Sequence, residues 1–157
     1  MELGSEISPR KLKYSIHSCS SVSQSFHPDN ILEDKPFDQA SRYIFQSVEV
    51  RHDLLSRWSS DTNTPPQFLS LRLERPSLVT SITFGKYEKA HVCNLKHFKV
   101  LGGPDEDNMI ELLDAGLKND TVSEHFSLRH KLHGHLYPVS LIKILPLRSG
   151  CNMLSKN

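Results

Sequence analysis

The chain has 157 residues, of which 37% are hydrophobic, and this length and composition are typical of one globular domain with a modest core. Its 19 Lys and Arg residues nearly balance its 18 Asp and Glu residues, leaving a net charge of +1. This balance excludes the strong positive field that draws proteins onto nucleic acid or anionic lipid. No stretch is apolar for long enough to form a signal peptide or a membrane span. We therefore predict a cytoplasmic or nuclear chain with no nucleic-acid partner and no membrane insertion.

The first 40 residues predict little regular structure. Residues 1–13 are polar and basic, so we expect a disordered N-terminal tail there. Residues 27–39, with the sequence HPDNILEDKPFDQ, are rich in Asp, Asn and Pro. This composition favours a long ordered loop in which side chains hydrogen-bond the backbone.

From residue 68 onward the apolar residues recur at every second position, which is the pattern of half-buried strands. Pro76 is predicted to end the first strand, and Gly102-Gly103-Pro104 to form a turn after the third. The last stretch is apolar on both faces, which indicates a central strand. The predicted strands lie in FLSLRLE, LVTSITF, LKHFKVLGG, EHFSLRHKL and VSLIKILPL.

Residues 105–120 are the one candidate for a helix or irregular segment, because Met109, Leu112, Leu113 and Leu117 have nearly helical spacing. The remainder consists of short strands separated by turn-rich loops. This pattern predicts an all-β sandwich or barrel.

The sequence offers no convincing set of catalytic or metal-binding groups, so we predict neither an enzyme nor a bound metal or cofactor. Cys93 has His91 and His97 nearby, but burial is the common fate of a cysteine at a strand entry. With Cys19 and Cys151 it completes three widely spaced cysteines, which we interpret as free thiols.

A group of histidines in EHFSLRHKLHGH is the strongest metal candidate. His133 and His135 would share a face if the chain around Gly134 stayed extended. No Cys or carboxylate is placed beside them by spacing, and solvated loop histidines are the better interpretation. The other members of the group are His125 and His130.

The stretch FGKYEKAHVCNLKHFKV interleaves lysines with aromatic residues, as nucleic-acid surfaces do. Glu88 interrupts it and the chain is nearly neutral, so a protein-binding loop is the better interpretation.

Three long stretches resemble the N-terminal discoidin, or factor V/VIII C-type, domain of the muskelin family, from about Tyr14 to Leu147. They are DNILEDKPFDQASR, RWSSDTNTPPQFLSLRLERP and FGKYEKAHVCNLKHFKVLGG. The resemblance implies a discoidin-like jelly-roll β-sandwich of galactose-binding-like fold over residues 14–147. In that family an Asp-rich loop leads into Arg-Trp and then an apolar strand. Here Asp34 and Asp38 lie in the loop, and Trp58 is expected to pack beneath the loops.

Two departures from the family pattern indicate a truncated or variant form. Deleting residues 43–57 would restore the family-like string DQASRWSSD, so we expect an inserted loop there. Residues 148–157 do not match the family's closing strand and are expected to be an irregular tail. Because a missing strand leaves its neighbour's edge unpaired, we expect a lowered melting temperature or an oligomer. A sharp, high-temperature monomeric transition would contradict that expectation.

The resemblance implies a non-catalytic intracellular module for protein interaction and self-association, part of a longer kelch-repeat scaffold. It also implies membership of a multi-protein, CTLH-type ubiquitin ligase complex, with links to cell adhesion and cytoskeletal responses. Predicted strand ends supply the candidate protein-binding residues. These are Arg57, Trp58, Lys86, Tyr87, Lys89 and His91.

Two alternatives remain open. An extracellular carbohydrate- or lipid-binding discoidin domain is opposed by the missing signal peptide and unpaired cysteines, and glycosylation at Asn119 would favour it. A calcium-stabilised jelly roll would use Asp34 and Asp38 as oxygen ligands, and melting with and without chelator would reveal it.

Overall fold

The computed structural model describes residues 10–23, 26–32, 57–62, 64, 66–85 and 95–149. These residues form strands connected by turns, with one short 3-10 helix at Pro28–Ile31, so the predicted all-β class is confirmed. The strands in chain order are β1 (Tyr14–Cys19), β2 (Leu69–Ser77), β3 (Ser81–Phe84), β4 (Leu95–Gly103), β5 (Ile110–Ala115), β6 (Glu124–Ser127), β7 (Lys131–Leu132), β8 (His135–Leu136) and β9 (Val139–Ser149).

The main layer is a five-stranded antiparallel sheet with the order β1-β2-β9-β4-β5. Strands β3 and β6 pair in a second, two-stranded sheet, and β7 and β8 form a separate hairpin. The predicted central strand is β9, which lies between β2 and β4. Its successive residues Leu141 and Ile142 are both buried although they point to opposite faces, which explains its continuous apolar pattern.

The core lies between the two sheets. Leu69, Leu71 and Leu73 alternate along β2 with all three side chains buried, as their period-two spacing predicted. Phe98 of β4 is fully buried, and its ring lies 4.8 Å from that of Phe84 in β3, between ring centroids. This aromatic contact holds the second sheet against the first.

The helical candidate at residues 105–120 is corrected by the structure, because β5 occupies residues 110–115 and pairs with β4. A β-bulge shifts the register between Val100 and Leu101 of β4, so that Leu112 is an extra residue on β5. The bulge lets the neighbouring residues Leu112 and Leu113 both contact the core. Adjacent apolar residues break the period-two pattern, which is why the spacing looked helical.

Strand ends also differ from the sequence-based expectation. Strand β2 continues through Pro76 to Ser77, although its register with β9 is interrupted between Arg72 and Ser77. Gly102 and Gly103, expected to form a turn, are the last two residues of β4. Both remain paired with β9, and the turn follows them.

Ordered contacts extend beyond the predicted domain limits of 14 and 147. Leu12 packs against the core, and the Lys13 carbonyl accepts a hydrogen bond from the Glu74 amide at 3.1 Å. At the other terminus β9 continues to Ser149, which pairs with Leu95.

The β7–β8 hairpin shows whether His133 and His135 can lie on one strand face. His133 and Gly134 both have positive φ, 52° and 80°, as a two-residue type I′ turn requires. The chain around Gly134 is therefore not extended, and His133 and His135 do not lie on one strand face. Both side chains are exposed.

Candidate functional site

The candidate site is the end of the sandwich where β1, β5 and β9 finish and β2 and β4 begin; we call it the loop end. Antiparallel pairing brings these five termini together at one edge of the main sheet. The amide of Lys118, just beyond β5, donates to the Glu124 carboxylate at the start of β6, at 2.9 Å. Glu124 pairs with Phe84, so β3 also finishes at the loop end.

Trp58 is half-buried at the loop end and packs against the core. Its indole N–H donates to the Ser21 carbonyl at 3.0 Å, which joins the segment before β2 to the segment after β1. The ring of Trp58 and its N–H therefore both make contacts within the domain. This arrangement agrees with the expected packing role beneath the loops.

Arg57 contacts the 3-10 helix region through both its side chain and its backbone. The guanidinium carbon lies 4.3 Å from the centroid of the Phe26 ring, a cation–π geometry. The Arg57 carbonyl accepts a hydrogen bond from the Asn30 side-chain amide at 2.9 Å. We call Phe26 and Asn30 together the arginine seat.

Two backbone hydrogen bonds reinforce this contact on the C-terminal side of the arginine. The Ser59 amide donates to the Phe26 carbonyl at 3.1 Å, and the Ser23 amide donates to the Ser59 carbonyl at 2.7 Å. Residues 57–59 are consequently fixed against Ser23, Phe26 and Asn30.

A buried amide organises the polar part of the loop end. Gln67, which is 9% exposed, accepts hydrogen bonds at Oε1 from the hydroxyls of Ser20 and Ser21, at 2.6 and 2.8 Å. Its Nε2 donates to the Thr64 carbonyl at 2.9 Å. The Ser21 hydroxyl also accepts from the Asp61 amide at 3.1 Å. Because buried polar groups are expensive to leave unpaired, this network selects one conformation of the loop end.

The remaining predicted site residues lie outside the described part of the chain. Lys86, Tyr87, Lys89 and His91 fall between Gly85 and Leu95. The strands on either side of them, β3 and β4, have their near termini at the loop end. The Asp34 and Asp38 pair and residues 43–56 of the expected insertion are likewise outside the described residues.

Charged groups pair across the outer face of the main sheet. The Lys99 ammonium lies 3.1 Å from the Glu111 carboxylate and 4.0 Å from that of Asp114. The hydrogen bond and charge of Glu111 raise the pKa of Lys99 above its ordinary value. A second chain of contacts joins Arg72 to His17 at 3.1 Å and His17 to Glu106 at 3.1 Å.

Two hydrogen-bonded pairs on strand faces combine side chains of the types found in catalytic sites, a hydroxyl with a histidine and a histidine with a carboxylate. Thr83 Oγ1 lies 2.8 Å from His125 Nδ1, and His97 Nε2 lies 2.6 Å from Asp114 Oδ1. The Thr83 and His125 side chains are exposed, and about half of the His97 and Asp114 side chains is solvent-accessible, at 44% and 48%. Catalytic groups work in clefts that exclude water, and these pairs lie on open surfaces.

Among the described residues, no three His, Cys, Asp or Glu side chains are grouped so that they could hold a metal ion. Nor does that part of the chain include a helix with the length and apolarity needed to cross a membrane.

Sequence reasoning named Arg57 and Trp58 but missed their partners Phe26 and Ser21, and it missed Gln67, which bonds Ser21. The predicted loop over residues 27–39 came closest, since Asn30 hydrogen-bonds a backbone carbonyl as that composition suggested. The only signal for Ser21 was the serine-rich stretch SCSSVS at the end of β1, because serine hydroxyls commonly bond nearby backbone.

Comparison with known proteins identifies relatives along most of the chain. A family model described as the muskelin N-terminus matches residues 8–52 and 46–155, in two segments that overlap at 46–52. Mei4-dependent protein 6 of Schizosaccharomyces pombe is 40% identical over 149 residues, which covers 89% of this chain. The chain spans about a fifth of that relative, 19% of its length.

Solved structures with the same fold share little sequence with the chain. The family 32 carbohydrate-binding module of C. perfringens NanJ, in complex with galactose, has a TM-score of 0.61 and 10% identity, covering 87% of this chain and 84% of that one. The C-terminal domain of a chitobiase from Bacteroides fragilis has a TM-score of 0.58 and 12% identity, with coverages of 85% and 80%. At these identities the likeness confirms the discoidin-like β-sandwich.

Proposed function

The chain belongs to the muskelin N-terminal family, and we propose that it serves as a non-catalytic protein-interaction module at the loop end of its sandwich. The observation that carries the proposal is the fixed loop end, where Trp58, Arg57 and Gln67 hold several connecting segments in one arrangement. Loops held on a rigid sheet are the usual place for binding residues. A fixed arrangement also lowers the entropy lost when a partner binds.

Our specific proposal is that the module belongs to a muskelin-like scaffold that self-associates and joins a CTLH-type ubiquitin ligase complex. Such a scaffold would act in the cytoplasm or the nucleus and affect cell adhesion and cytoskeletal responses. Family membership supports this assignment. The contact residues we propose are the sequence-derived set, with Arg57 and Trp58 shaping the surface and Lys86, Tyr87, Lys89 and His91 touching the partner.

The competing carbohydrate-binding function shares the fold but gains little support from the loop end. Trp58 is the single tryptophan of the chain, and its ring and N–H are used for packing and for Ser21. The ring is therefore not an open stacking surface for a sugar, and the N–H already has an acceptor within the domain. Calorimetric titration with galactose should therefore show no binding, and saturable heat would favour the carbohydrate alternative.

Co-precipitation from cells tests the protein-binding function. We expect the tagged chain to recover subunits of the ligase complex, identified by mass spectrometry. Alanine at Lys86, Tyr87, Lys89 and His91 together should reduce that recovery at least tenfold. A control variant with alanine at the exposed residues Lys131 and Leu136 of the β7–β8 hairpin should recover as much as the unchanged chain.

Thermal melting of both variants separates loss of binding from loss of folding. Equal recovery by the two variants, or no ligase subunit with any form of the chain, would contradict the proposed function.

A further inference from the structure

A recess lies on the outer face of the main sheet, between the start of β1 and the middle of β2, and has a volume of about 230 Å³. Ser15 is paired with Arg72 in the register of the two strands, and a backbone hydrogen bond joins Glu74 to Lys13. Alternate side chains of β2 are buried in the core, so those of Arg72 and Glu74 point outward. We call this feature the β1–β2 recess; its lining residues are Lys13, Tyr14, Ser15, Arg72 and Glu74.

The strands around the β1–β2 recess carry a local excess of positive charge. Residues 10–19 and 69–77 contain five Lys or Arg residues and one acidic residue, Glu74, although the whole chain has a net charge of +1. All six of these side chains are exposed. Within the described residues, none of the six has an opposite charge at ion-pair distance. The positive charge at this edge of the sheet is therefore not neutralised by the domain itself.

The other edge of the main sheet is acidic, and its charges are largely paired. The turn after β4 and strand β5 contain five Asp or Glu residues and no Lys or Arg. Glu111 and Asp114 lie within 4.0 Å of the Lys99 ammonium. Glu106 lies 3.1 Å from His17. The two edges thus differ in sign, and the unpaired charge is concentrated at the basic one.

Arg72 is held in one orientation without losing its charge. Its Nη2 lies 3.1 Å from His17 Nδ1, and His17 Nε2 lies 3.1 Å from Glu106 Oε1. A guanidinium has donors only, so His17 Nδ1 accepts from Arg72 and Nε2 carries the proton that is donated to Glu106. One N–H of Arg72 is used for orientation, and its other donors are available to a ligand. Such pre-orientation lowers the entropy lost when an anion binds.

We propose that the β1–β2 recess binds an acidic segment of a protein partner, with an Asp or Glu carboxylate of that segment held by Arg72. The planar fork of an arginine matches the two oxygens of a carboxylate. The Lys13 ammonium and the Ser15 hydroxyl line the same recess and supply further donors. This site lies on the sheet face, apart from the loop end, and does not depend on the function proposed there.

A protein segment suits the recess better than a polyanion does. Glu74 lines the recess and Glu106 contacts His17 beside it, so a continuous row of phosphates would meet two carboxylates. A peptide of mixed sequence can present one carboxylate to Arg72 and an uncharged residue to Glu74. The nearly neutral chain also provides no long-range attraction for nucleic acid or anionic lipid.

Fluorescence anisotropy with the complete chain tests the proposal, using a short labelled peptide of alternating Glu and Ser and a matched peptide with Gln in place of Glu. We expect only the acidic peptide to bind, with a dissociation constant below about 1 mM. Arg72→Gln should weaken binding about tenfold or more, because charge-assisted hydrogen bonds are lost. Arg129→Gln is the charge-matched control and should change the affinity less than about twofold. Arg129 is exposed, and its amide bonds Leu112 of β5, at the other edge of the main sheet.

Two changes at His17 test whether it positions Arg72. His17→Leu removes the acceptor and should weaken binding about threefold, because Arg72 must then be ordered by the ligand. His17→Gln keeps both an acceptor and a donor, so it should restore the affinity of the unchanged chain. Equal affinities of these two variants would overturn the positioning role of His17.

Thermal melting of every variant separates weaker binding from unfolding. Equal binding of the two peptides, or no binding of the acidic one, would overturn the proposed site. Equal effects of Arg72→Gln and Arg129→Gln would also overturn it, because binding would then follow overall charge. Tighter binding of phosphatidylserine vesicles or single-stranded DNA through Arg72 would overturn the assignment of a protein segment as the ligand.

Discussion

Trp58 makes two separable contributions, the burial of its ring and the N–H bond to Ser21, and Trp58→Phe removes mainly the second. We expect this change to lower the free energy of unfolding by about 1–2 kcal/mol, because the Ser21 carbonyl loses its donor in a part-buried position. Urea unfolding followed by circular dichroism measures it. Val122→Ala is a suitable control, since Val122 is 65% exposed and should change stability by less than about 0.5 kcal/mol. Equal effects of both changes would contradict the assigned role of the indole N–H.

The raised pKa of Tyr14 leads us to expect a loss of stability in alkaline solution. Burial raises the pKa of Tyr14 above its ordinary value of 10.0, and its hydroxyl lies 3.4 Å from the Ile31 carbonyl. A group with a raised pKa in the folded state stabilises fully below its unfolded pKa, and the contribution is lost as the pH rises through the folded pKa. Unfolding free energy should therefore fall above about pH 10.

The variant Tyr14→Phe should fall less steeply over the same range, when measured by urea unfolding between about pH 8 and 11. Some decline should persist, because the pKa of Lys99 is also raised, by Glu111, and acts in the same direction. Identical pH profiles for the two proteins would show that Tyr14 does not titrate in the way its burial requires.

At this scale the sequence predicted the packing role of Trp58 but not its partners. Trp58 and Ser21 are 37 residues apart in the sequence. Ser20 and Phe68, whose hydroxyl and amide are hydrogen-bonded, are 48 residues apart. Periodicity reports which residues share the face of one element. It contains no information about hydrogen bonds between loops that the fold brings together.

Among the described glycines, Gly103 at the end of β4 is the one where an added Cβ would lie nearest to backbone. A Cβ added there would lie 2.0 Å from the Asn108 carbonyl oxygen, which belongs to backbone and cannot rotate away. We expect Gly103→Ala to cost at least about 2 kcal/mol of unfolding free energy because the turn between β4 and β5 must shift. Gly85→Ala is the matched control, since nothing lies within 4 Å of the added atom. A neutral Gly103→Ala would rule out the close approach of this turn to β4.

Strand prediction succeeded where one face is continuously buried and failed where a bulge interrupts the alternation. The pattern of Leu69, Leu71 and Leu73 revealed β2, whereas the extra Leu112 made β5 look helical. Strand β1 was not predicted. Its register shifts between Ile16 and Ser18, and half of its six residues are Ser or His, so neither length nor sustained alternation marks it as a strand.

The whole molecule is a β-sandwich whose two ends have different compositions. The loop end holds the Trp58 and Gln67 contacts, whereas the opposite end has an acidic turn, with Asp105 and Asp107 exposed, beside the β7–β8 hairpin. The Tyr137 hydroxyl donates to the Asn108 carbonyl at 3.2 Å and joins these two features. The fold class followed from period-two patterns, and the family from long idiosyncratic strings. The division between the ends could not be predicted, because it depends on how the strands pair.

Amide hydrogen exchange of the chain, alone and mixed with the ligase subunits proposed as its partners, tests most directly whether the loop end is the binding surface. We predict that binding slows exchange at residues 57–62 and 116–123, which lie at the loop end. Exchange at residues 104–109 and 131–136, at the opposite end, should remain unchanged. Slower exchange at the opposite end, or no difference anywhere in the chain, would contradict the proposed function.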